Sequence, residues 1–105
     1  MPDKPKDIKR AVNAFDAYFG TPKEDPRRGH FRKAVAFVAA NCPALTQEIL
    51  KSGALTGPQI DNARKGNRTG ASDDSRIQTG KVVCAAARTH KLPIPESLIT
   101  TLGIN

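Results

Sequence analysis

The sequence predicts an all-α protein, a compact single-domain bundle of about five to six short helices spanning residues 1–105. Three observations carry that prediction. First, 14 alanines but only 22 Leu, Ile, Val and Phe residues stand among the 105. A core built this way needs close approach of backbones, and Ala is the best helix former and is depleted in strands. Second, apolar residues recur at spacings of three and four, punctuated at short intervals by Pro and Gly. Third, no stretch of four or more residues alternates apolar and polar with β-branched enrichment, and no Asn-Gly or Asp-Gly turn occurs.

Taken in order, Pro5 suits the opening turn of a first helix. Its apolar stripe is Ile8, Ala11, Val12, Phe15, Tyr18 and Phe19, and Gly20 lies just past its end. Residues 21–25 read as a tight connection, because Pro26 prevents the capping pattern of Thr21 and Glu24 from opening a long helix. Asp25-Pro26 reads as the N-cap and first position of a second helix running to about Asn41, with Phe31, Ala34, Val35, Val38 and Cys42 on one face. Pro43 opens a third, carrying Leu45, Ile49 and Leu50 and ending at Ser52-Gly53.

Thr56 and Gln59 make a capping box for a fourth helix over about 57–65, with Ile60 and Ala63 inward. Residues 66–75 hold no large apolar side chain and read as an exposed loop, the most mobile part of the chain. Asp74 or Ser75 caps a fifth helix through about His90. Val82 to Ala87 is apolar or small on every side, which predicts a central, buried helix. Gly80 and Ala85 to Ala87 give its neighbours room for close packing. Leu92-Pro93-Ile94-Pro95 breaks the chain, and Pro95 opens a last short helix with Leu98, Leu102 and Ile104.

The formal charge is +7, with 17 Lys and Arg against 10 Asp and Glu. It is unevenly placed: residues 1–25 are neutral, 26–58 and 59–91 carry +4 each, and 92–105 carry −1. A basic excess concentrated in the middle of the chain predicts a polyanionic partner, against the blander possibility of a solvated surface that keeps the chain dispersed.

Three segments carry the candidate contacts. The run Arg27, Arg28, Gly29, His30, Phe31, Arg32, Lys33 lies at the predicted start of the second helix, where the dipole disfavours cations but backbone amides and cations together seat a phosphate. Arg64, Lys65 and Arg68 form a basic helix end running into the loop. The first two are explained equally well by the helix dipole, whereas Arg68 lies beyond the helix. The third and fourth helices have the proportions of a helix-turn-helix, with Gln59 and Asn62 as candidates for base contact. Gln59, however, falls where that motif buries an apolar residue, and any αα-hairpin gives the same spacing. Arg76, Lys81, Arg88 and Lys91 add general positive charge.

Other chemistries find little support. Cys42 and Cys84 sit in apolar runs and read as free buried thiols of a reducing, cytoplasmic compartment, with a single disulfide as the alternative. With His30 and His90 they lack metal-ligand spacing. No nucleophile–base pair or carboxylate constellation is evident, so neither an enzyme nor a cofactor or metal site is expected. No apolar run spans a bilayer, and no helix pairs bulky anchors with a basic face. The expected function is a small nucleic-acid-binding protein, an accessory or regulatory factor contacting the phosphate backbone of DNA or RNA. The alternative is an adaptor or inhibitor docking its basic surface on an acidic protein. The slender core also admits a homodimer.

Overall fold

Residues 3–26 and 30–104 are described by a computed structural model. Among them six helices and no strand occur, so the chain is all-α as its sequence predicts. Helix α1 (Pro5–Phe19) buries Ile8, Ala11, Val12, Phe15 and Tyr18, the stripe expected from their spacing. Helix α2 (Phe31–Asn41) packs across it through Phe31, Ala34, Val35 and Val38. Phe15 meets Phe31 edge-on at 5.8 Å between ring centres, and the Arg10 guanidinium lies 5.2 Å over the Phe37 ring at the margin of the same interface.

The second helix starts later than Asp25-Pro26. Pro22 to Asp25 closes a turn, with the Asp25 N–H donating to the Pro22 carbonyl at 3.0 Å, and His30 is extended ahead of the first helical residue. A helix from Pro26 would carry two arginines in its first turn against the dipole and a glycine in its interior, an unfavourable start that starting at Phe31 avoids.

Helix α3 (Pro43–Ser52) has no cap from its own N-cap residue, Cys42. Asp3 supplies one from 41 residues away, as its two carboxylate oxygens accept from the Ala44 N–H at 3.0 Å and the Leu45 N–H at 2.8 Å. Helix α4 (Gly57–Arg64) begins with the complete capping box expected from Thr56 and Gln59. Its Ile60 and Ala63 are buried, and the helix seats chiefly on α2. Contact between α3 and α4 is slight, so the two do not pair as a closely packed helix-turn-helix hairpin. The apolar side of α4 is spent on α2 instead.

Ser72, rather than Asp74 or Ser75, caps helix α5 (Asp73–Thr89), its hydroxyl accepting from the Ser75 N–H at 3.1 Å. Asp73 and Asp74 then occupy the first turn, where the dipole favours them. Helix α5 packs on α1, α3 and helix α6 (Glu96–Leu102), but it is not buried all round. Thr79, Gly80, Val83, Cys84 and Ala87 face inward, whereas Ala85 is exposed and Val82 and Ala86 are half-buried beside α3. A helix touching neighbours on only one side needs only one inward stripe, and its surplus small apolar residues line an open groove with Ile8 and Leu45. Both cysteines are free and buried. No helix among the described residues is long and apolar enough to cross a membrane.

Candidate functional site

The loop between α4 and α5 positions the site. Helix α4 ends in a Schellman closure: the Gly66 N–H donates to the Ala63 carbonyl at 3.0 Å and the Asn67 N–H to the Asn62 carbonyl at 2.8 Å, with Gly66 left-handed at φ 79°. The chain beyond turns back toward the body. Thr69 and Ala71 are buried, and the Thr69 hydroxyl accepts from the Ala71 N–H at 3.3 Å. The predicted exposed loop is therefore exposed only in part and is tied at two points. Arg68 just before the first tie and Gly70 between the two remain exposed.

This loop forms one wall of a cleft of about 660 Å³, whose other described walls are the end of α1, residues 23–26 with His30, the first turn of α2 and the first turn of α5. The lining brings together Lys23, His30, Arg32, Arg68 and Arg76, with Asp25 as the one carboxylate among the described residues. Arg32 and Arg68 come from the two basic segments singled out in the sequence and now share one site. Neither side chain forms a hydrogen bond or ion pair with another described residue.

Arg76 is held differently. Its Nη1 donates to the Tyr18 hydroxyl at 2.8 Å, and its guanidinium lies 5.6 Å from the centre of the Phe31 ring. Both anchors are neutral, and no ion pair to Arg76 exists among the described residues. Its Nε is buried without a hydrogen-bond partner. The charge is thus fixed in place by packing and a phenol while remaining uncompensated, a costly arrangement in a partly desolvated setting. Lys23 at the rim is satisfied by Asp73 at 3.1 Å, an exposed pair that contributes little to stability.

The start of α2 adds to the positive potential. No side chain among the described residues caps it, its first turn contains no acid, and His30, Phe31 and Arg32 line the cleft. An uncapped helix start beside three guanidinium groups (Arg32, Arg68 and Arg76) attracts an anion through backbone amides, dipole and fixed charge together.

The remaining sequence candidates lie elsewhere. Arg64 and Lys65 are exposed at the end of α4, and Lys33 is exposed on α2, all outside the cleft lining. Gln59 and Asn62 are half-buried on α4, and the Gln59 side-chain oxygen accepts from the Thr56 N–H at 3.0 Å, closing the capping box. Arg27 and Arg28 lie outside the described residues. In the sequence Arg76 reads only as general positive charge, because its anchor Tyr18 sits on the apolar stripe of α1, 58 residues away. The only signal was a cation near the start of a helix, where acids are favoured.

Burial, helped by the nearby Asp3 and Asp7 charges, pushes the Cys42 thiol from its ordinary value of 9.0 to about 11. Burial also raises that of Cys84, opposed by Arg88. Both remain protonated and unreactive near neutrality. Comparison with known proteins finds no matching family model, no matching curated protein and no matching solved structure.

Proposed function

We propose that the protein binds nucleic acid through phosphate groups seated in this cleft, acting as an accessory or regulatory factor rather than as an enzyme. One observation carries the proposal: Arg32, Arg68 and Arg76, from three separate stretches of chain, line one concavity without a carboxylate paired to any of them among the described residues. Guanidinium groups bind phosphate with fork geometry and stay charged at any physiological pH, so such a cluster favours an anion over most of the surface alternatives.

Base reading is not part of this proposal. Gln59 spends its carbonyl on its own helix cap, and the Phe31 and Tyr18 rings beneath the cleft are only 4% and 5% exposed. Binding by charge without aromatic stacking is tolerant of sequence.

Fluorescence polarisation against duplex DNA, duplex RNA and single strands tests it. Binding is expected at ~100 mM salt, with log affinity falling linearly with log salt. Arg68→Gln is expected to weaken binding to all sequences alike. Absence of binding to every nucleic acid, or capture of one acidic protein insensitive to nuclease, would contradict it.

A further inference from the structure

Resting on the phosphate-binding role just proposed, we infer that the cleft takes the terminal phosphate of a single strand in preference to phosphodiesters within a chain. Three features of the site point to a chain end.

The first is size. At about 660 Å³ the cleft falls among the concavities that enclose small ligands, roughly 300–1,000 Å³. Surfaces that track a continuous strand are instead extended grooves covering about 4–16 nucleotides. An internal phosphodiester entering a small concavity must bring a strand in and lead it out again. A chain end enters once.

The second feature is charge. Lys23, Arg32, Arg68 and Arg76 face Asp25 alone among lining carboxylates, and Lys23 is already paired with Asp73 outside the lining. The uncapped start of α2 adds its amides. A phosphomonoester carries about −1.5 to −2 charges near neutrality and three strong acceptor oxygens, against −1 for a diester. Three arginines lining one cleft match the monoester better, because the third non-bridging acceptor oxygen exists only there.

The third feature is what the walls withhold. The Phe31 ring is covered by Phe15 on its edge, by Tyr18 at 5.5 Å and by the Arg76 guanidinium, so it offers no open face to a base. Among the described lining residues only His30 presents an exposed ring, so most of the polar partners in the cleft are offered to the phosphate rather than to the nucleobase. The preformed hold on Arg76 serves the same end. Its Tyr18 bond and Phe31 contact fix one arm of the seat before any ligand arrives, reducing the ordering cost of binding.

The test compares three thymidine 12-mers of identical sequence, bearing a 5′-phosphate, a 3′-phosphate, or hydroxyls at both ends. Affinity is measured by competition against a fluorescent oligonucleotide at fixed ionic strength. At least tenfold tighter binding of one phosphorylated form is expected, and the form preferred identifies the end recognised. Arg68→Gln changes an exposed side chain, so it keeps the fold, checked by circular dichroism, and is expected to reduce the preference to under threefold. Arg76→Lys, which keeps the charge but loses the fork, is expected to do likewise. Equal affinity for all three 12-mers would overturn the end preference while leaving phosphate-backbone binding intact. Failure to bind any of them would overturn both.

Discussion

Two single residues show how far a side chain's role depends on partners remote in sequence. Asp3 reads in the sequence as one charge in a neutral N-terminal segment, yet it is 7% exposed and caps α3 across the fold. Nothing local in the sequence marks it, since its partners are 41 and 42 residues away. Asp3→Ala removes two charge-assisted bonds and leaves amides at a helix start without acceptors. It is expected to cost about 1–3 kcal/mol, read as a lower urea midpoint at unchanged slope. An unchanged midpoint would mean that solvent replaces the cap.

Cys42 makes the complementary case, in which the sequence was legible: an apolar run predicted a buried thiol, and the residue is fully buried and free. With its thiol pushed up to about 11, the folded protein holds a proton that the unfolded chain releases above about pH 9. Because the native state binds more protons in that window, stability falls as pH rises from 9 toward 11 and is indifferent to this group below it. Chemical denaturation at pH 7 and pH 10 is expected to show that decline in the native protein and a smaller one in Cys42→Ala. An identical decline in both proteins would assign the effect to other groups.

At the scale of elements, starts and stops carried most of the readable information. Thr56 with Gln59 fixed the beginning of α4, and Pro43 and Gly53 bounded α3, because capping and turn chemistry act over a few neighbouring residues. Packing partners were not readable in that way. The pairing of α4 with α2 rather than α3, and the one-sided burial of α5, depend on which apolar faces meet after collapse.

Gly80 is an exception, since a lone glycine in an apolar helix already suggested close approach. A Cβ there would lie 3.0 Å from the Phe19 ring and 3.1 Å from both Leu102 methyls. Gly80→Val is accordingly expected to destabilise by about 1–3 kcal/mol, as overpacking between α5, α1 and α6. Lys91 gives the opposite sign. It closes α5 as a Schellman residue at φ 58°, donating its N–H to the Arg88 carbonyl at 3.0 Å. Glycine relieves the left-handed strain there, at some cost in unfolded-chain entropy. Lys91→Gly is therefore expected to stabilise by up to about 1 kcal/mol, seen as a higher melting temperature.

For the whole molecule, the formal +7 is less informative than where folding gathers it. The radius of gyration is 12.4 Å, so segments far apart in sequence are never far apart in space, and one cleft draws cations from four of them. Two of the guanidinium groups, Arg32 and Arg68, were visible as candidates because each sits where helix stability gives no reason for a cation. The third, Arg76, became visible only through Tyr18 and Phe31, which hold it. Of the two base-contact candidates on α4, Gln59 has its side-chain oxygen committed to the helix cap. Removing the shared charge is expected to act on the site as a unit. The Arg32→Gln, Arg68→Gln double variant should lower the steepness of the log affinity against log salt line by about 1–2 for a single strand, with the melting temperature little changed.

Anionic ligands are proposed to enter this cleft rather than to bind the exposed face of α4. An amide chemical-shift titration of the ¹⁵N-labelled protein with a 5′-phosphorylated thymidine 12-mer tests that proposal directly. The largest shifts are expected at residues 30–32, 68–71 and 76, with small changes over the exposed face of α4 and the groove between α3 and α5. Shifts centred on Gln59, Asn62, Arg64 and Lys65 instead, with the cleft amides unmoved, would contradict it.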